Sequence, residues 1–99
     1  MKVHELKILP QYFNEVKSEK KSFELRKNDR DFKVGDVLIL KEFNPNKEYE
    51  TEEDGVYSNF SGEKVLRQVI YVLKGIEGLN DDYAILGIKP VDSDIELEG

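Results

Sequence analysis

The stretch KSEKKSFELRKNDRDFKVGDVLILKEF, residues 17–43, decides the fold, because two strand patterns joined by a turn fall within it. From Ser22 to Arg26 the residues alternate in character. Phe23 and Leu25 share one apolar strand face, while Ser22, Glu24 and Arg26 share a polar one. Lys33-Val34-Gly35-Asp36 reads as a turn, with Gly35 supplying a positive φ. It opens into the apolar run Val37-Leu38-Ile39-Leu40, which has the character of a strand buried on both faces. Charge concentrates here as well, which makes this stretch the place to look for a site.

Working outward, Val3 to Ile8 alternates so that His4, Leu6 and Ile8 share one face of a first strand. A lone histidine on an apolar face reads as a hydrogen-bonded core residue rather than a catalyst. Pro10 suits the first turn of a short helix, on which Tyr12, Phe13 and Val16 form an apolar stripe; the spacing predicts that Tyr12 and Phe13 pack inward rather than stack on bases. Asn44 to Gly62 reads as a loop or an irregular hairpin tip. Its acids Glu50, Glu52, Glu53 and Asp54 lack the spacing of a calcium loop and read as solvated charges. Tyr49, Tyr57 and Phe60 either present aromatic faces on that loop or fold back over the end of the sheet. Val65 to Leu73 is a strand with Val65, Val69, Tyr71 and Leu73 on one face and Leu66, Ile70 and Val72 on the other, interrupted by Arg67 and Gln68. It is expected to pair with Val37–Phe43 as an antiparallel hairpin with a large tip. Tyr83 to Lys89 makes a last strand, closed by Pro90, and the acidic segment 91–99 is expected to be disordered. The resulting fold class is mainly β (α+β): five to six strands in a mixed sheet curled into a partly open barrel, with one or two short helices, in one domain spanning 1–90.

Composition narrows the function. The 99 residues suffice for one domain, and 38% hydrophobic against 36% charged is wet but patterned. Without cysteine there is no disulfide and no thiolate zinc site, and no apolar run approaches the ~20 residues of a spanning helix. No signal-peptide pattern is visible, so a cytoplasmic protein without a membrane partner is expected. Walker loops, dinucleotide fingerprints, HExxH and Ser-His-Asp arrangements are absent from the sequence, and no cofactor or metal is expected. A net charge of −6 opposes non-specific nucleic-acid binding. Residues 17–33 nevertheless hold seven bases (Lys17, Lys20, Lys21, Arg26, Lys27, Arg30, Lys33) against four acids, and 64–75 add Lys64, Arg67 and Lys74. A basic cleft between acidic surfaces suits a small or narrowly placed anionic ligand better than a long duplex.

Glu19-Lys20-Lys21-Ser22-Phe23-Glu24-Leu25-Arg26 fits the pattern GxKxxExR, with Lys21, Glu24 and Arg26 in the charged slots and the Val34-Gly35-Asp36 turn following. In this the chain resembles the ASCH domain, a small relative of the PUA-like RNA-binding fold. It departs at Glu19, where that family usually has glycine. HELKILPQYF and ELRKNDRDFKVGD are similar to a phage and bacterial branch mostly without assigned function, and the likeness spans roughly residues 3–89. On the residues alone, Lys21, Glu24 and Arg26 would read as a surface ion pair worth ~0–1 kcal/mol. The resemblance implies instead that they line a cleft beside a PUA-like barrel. Arg26 then offers a fork of donors, Lys21 a mobile charge and Glu24 an acceptor for an exocyclic amine, with Lys27, Asn28 and Arg30 extending the site. RNA or a nucleotide is the implied ligand. Some relatives are implied to be amidohydrolases of acylated cytidine, with a threonine at the slot of Glu24, and others ribonucleases. An enzyme here would need Glu24 as a general base and Lys21 or Arg26 at the oxyanion, since Ser22 has no base placed for it. A third reading, a protein-interaction or regulatory domain, rests on the acidic loop and tail.

Overall fold

In the computed structural model, which describes residues 1–51 and 55–92, the chain is mostly β. The elements are β1 (Val3–Ile8), α1 (Pro10–Lys17), β2 (Phe23–Lys27), β3 (Val37–Phe43), β4 (Tyr49–Glu50), β5 (Tyr57–Ser58), β6 (Phe60–Leu73) and β7 (Tyr83–Pro90). Five of them form a mixed sheet in the order β1-β3-β6-β7-β2, with β1 parallel to β3 and every other pairing antiparallel. The sheet curls into a half-barrel, the partly open barrel expected from the pattern. Its edge strands β1 and β2 are left facing each other across a seam, which the Arg30 Nη1 bond to the Glu5 carbonyl (3.1 Å) bridges.

The strands form where period-two patterning meets a shared inside. Leu6 and Ile8 of β1, Leu38 and Leu40 of β3, Val69 of β6, and Ala84, Leu86 and Ile88 of β7 point into one core. Burying such side chains contributes about 1.5–3 kcal/mol apiece. Central β3 is buried on its inner face, and Val37 is fully buried on the outer one, although Ile39 beyond it is only half-buried. Helix α1 starts at Pro10 and packs against β3 and β6 through Phe13 and Val16. The expected three-residue stripe is corrected here. Tyr12 is 48% exposed, because it lies about 100° round the helix from Phe13 and faces the seam.

Three further expectations shift. The 44–62 loop is partly ordered: β4 pairs with β5, Phe43 pairs with Phe60, and the Asn59 amide donates to the carbonyls of Asn44 and Lys47. Phe60 folds back against Phe43 at 5.0 Å between ring centres, whereas Tyr57 stays exposed. Glu52, Glu53 and Asp54 lie outside the described residues, as do residues 93–99 of the acidic tail. In β6 a register shift between Val69 and Tyr71 breaks the alternation, so Val69 and Val72 face in while Ile70 and Tyr71 face out. Tyr71 therefore does not share a face with Val69, because a bulge inserts one extra residue between them.

Arg67 is the other surprise. The residue counted as a surface base is 8% exposed and donates to the carbonyls of Val16 (3.0 Å) and Leu66 (2.8 Å). Desolvation lowers its pKa, with Glu19 acting in the opposite direction. It anchors the end of α1 to the sheet and leaves the basic surface poorer by one charge.

Candidate functional site

The polar face of β2 is the inner one. Glu24 and Arg26 are registered against Leu86 and Ala84, whose side chains face the core, while Phe23 and Leu25 on the other face are about half exposed and reach the rim of the cleft at the edge of the sheet. Such an arrangement is tolerable only at the seam, where the inside of an edge strand meets a cleft instead of more core. Glu24 is 3% exposed, and its burial is matched by partners. Arg26 donates from Nε (3.0 Å) and Nη2 (2.9 Å) to Oε2, and Lys21 Nζ binds Oε1. A carboxylate has about four acceptor positions, so these donors leave one, at Oε1.

These groups line a cleft of about 430 Å3, closed on the other side by Lys7, Ile8 and Leu9 at the end of β1 and by Tyr12 of α1. That size falls in the range of small-molecule sites, roughly 300–1,000 Å3. Lys21 Nζ lies 5.5 Å from the Tyr12 ring centre and 4.9 Å from that of Phe23, so the cation is held between two aromatic walls. Lys21, Glu24 and Arg26 are thus brought together. Lys27 and Arg30 line an adjoining cavity, with Arg26 shared between the two. Asn28 is not part of either lining; its backbone N–H is bonded to the Asp82 carbonyl, tying the end of β2 to the loop before β7. Tyr12, Lys7 and Leu9 are lining residues that sequence reasoning missed. For Tyr12 the helical offset from Phe13 was the available signal; for Lys7 and Leu9 there was none, since only the curl brings β1 opposite β2.

His4 is buried away from the cleft, as expected. Its Nε2 lies 2.9 Å from Asp36 Oδ2, and its ring packs on Phe32 at 4.8 Å. Asp36 also accepts from the backbone N–H groups of Lys2 and Lys33, both at 3.0 Å. Burial alone would raise its carboxyl, but the bonds from His4 and the two amides outweigh that and hold it below the ordinary value. This is a structural knot joining the start of β1 to the turn before β3. Among the described residues no cluster of side chains is arranged to hold a metal ion, and no helix is long and apolar enough to cross a membrane.

A family model described as a domain of unknown function, DUF3850, matches residues 3–88. The chain belongs to the DUF3850 family. The match takes in every strand of the main sheet up to Ile88 and all the cleft residues. A relative in Escherichia phage P2, an uncharacterized 12.9 kDa protein in the GpA 3′ region, is 35% identical over 85 residues. That alignment covers 86% of this chain and 66% of the phage protein, so the chain spans just under two thirds of that relative's length.

Proposed function

We propose that the seam cleft binds RNA or a nucleotide-like ligand, with Glu24 as the group that selects the base. The carrying observation is a buried carboxylate, held by Arg26 on Oε2 and by Lys21 on Oε1, with one acceptor position left at Oε1 in the cleft that Tyr12 and Phe23 line. A base stacked on either ring would present an exocyclic amine to that acceptor, and aromatic stacking is worth ~1–3 kcal/mol per base. The likeness of Lys21, Glu24 and Arg26 to the ASCH signature supports the same reading.

The test screens purified protein against short single-stranded RNAs, free nucleotides and N-acylated nucleosides, with binding and turnover read in the same samples. Saturable binding without turnover is expected, and Glu24→Gln, which puts an amide where the acceptor stands, should change which base is preferred. Turnover that falls ~10²–10⁴-fold in Glu24→Gln while binding survives would replace this reading with a hydrolytic one in which Glu24 is the general base. Binding of neither class would redirect attention to a protein partner.

A further inference from the structure

A second cavity, of about 320 Å3, runs along the same seam. Lys7 and Arg26 line both cavities, which makes them neighbours across one guanidinium. The second holds Lys7, Arg26, Lys27 and Arg30 against Glu5 and Asp29, an excess of cations in a chain of net charge −6.

What each cation is already bound to separates their roles. Arg26 and Lys21 are committed to Glu24. Lys7 lines the cavity, but its Nζ sits over the Phe43 ring at 4.7 Å, so its charge is shared with that ring. Arg30 spends one N–H on the Glu5 carbonyl, a neutral acceptor that positions the guanidinium at the seam without cancelling its charge. Among the described residues neither Arg30 nor Lys27 is ion-paired, although Asp29 lines the same cavity. A pre-positioned, uncompensated guanidinium beside a lysine is suited to phosphate oxygens.

We infer that this second cavity is a phosphate subsite, so that the ligand of the cleft is a nucleotide unit, its base at Glu24 and its phosphate on Lys27 and Arg30, rather than a free base or nucleoside. The inference rests on the binding reading above. It also places the anion on Arg30 and Lys27 rather than on Arg26, whose fork of donors is bound to Glu24.

The experiment measures affinity by calorimetry for cytidine, adenosine and guanosine and for their 3′- and 5′-monophosphates. Wild type is compared with Lys27→Gln/Arg30→Gln and with Glu24→Gln. In wild type one of the monophosphates of the preferred base should bind about tenfold or more tightly than its nucleoside. The double variant should lose that advantage with nucleoside affinity unchanged, and the slope of its log Kd against log salt should fall. Glu24→Gln should alter nucleoside and nucleotide affinity alike and keep the advantage. Equal binding of nucleoside and nucleotide by wild type, or an advantage that survives the double substitution, would overturn the subsite alone. No binding of any of these compounds would overturn the subsite together with the reading beneath it. Lys27 and Arg30 are exposed whereas Glu24 is buried, and melting temperatures measured alongside show which variants remain folded.

Discussion

Glu19 stands in the left-handed region at φ 63°, one residue past the cap of α1, where its N–H bonds back to the Val16 carbonyl at 3.0 Å. The backbone here has a shape that favours glycine, at the cost of a strained side-chain-bearing residue. A non-glycine residue there costs about 1–2 kcal/mol, and the attraction between Glu19 and Arg67 offsets part of it. Glu19→Gly should therefore stabilise the protein by about 1 kcal/mol, read from the midpoint of urea unfolding at unchanged slope. Asp36 makes a pH prediction. Its folded pKa lies below the ordinary carboxylate value, so the unfolded chain binds the proton first as pH falls. The stability it contributes is complete above the unfolded pKa and is lost as pH drops through the folded one. Asp36→Asn should be less stable than wild type at pH 7, by about 1.5–3 kcal/mol. The gap should narrow on acidification below about pH 4, and a gap constant down to pH 2 would show that the carboxylate charge is not what holds the knot.

At the scale of elements, β6 and β7 fit through a bulge and a glycine. A Cβ on Gly87 would lie 3.1 Å from the Cβ of Tyr71, the residue paired with it just after the register shift. Gly87→Ala should cost about 1–3 kcal/mol, since the neighbours that must yield, Tyr71 and Ile70, are both held in β6. Equal stability of the two proteins would mean that the bulge can slide. Helix α1, at eight residues, is too short to persist by itself and depends on Phe13, Val16 and the Arg67 bond to its last turn. Arg67→Met should lose about 1–3 kcal/mol, because the Val16 carbonyl keeps only the Glu19 N–H and loses its charged donor.

For the whole molecule, the bases of the seam are bracketed by acidic segments at 41–63 and 76–99. A chain of net charge −6 offers little further attraction to phosphates that extend past the two cavities. Lengthening a single-stranded RNA from two to ten nucleotides should thus raise affinity by no more than a few-fold at low salt. A rise of a hundredfold, with a salt slope growing in proportion to length, would mean that a longer path exists on the surface.

Local chemistry in the sequence was enough to determine the strands of the main sheet, the turn at Gly35, the helix start at Pro10, the interior place of His4, and the shared strand face of Glu24 and Arg26, whereas their grouping with Lys21 in a cleft was expected only through the resemblance. Each of these depends on residue type within a few positions: period two, a positive φ, a fixed proline φ, or i and i+2 on one strand face. Which face of β2 turned inward was not legible, since Phe23 and Leu25 would satisfy a core as well as an outer surface. That choice was made by the curl that left β2 at a seam. Nor were the bulge at Ile70, the burial of Arg67 against α1, or the meeting of Tyr12 and Lys7 with Glu24 readable along the chain. These join residues far apart in sequence, and their geometry follows only from how a sheet of five strands closes on itself.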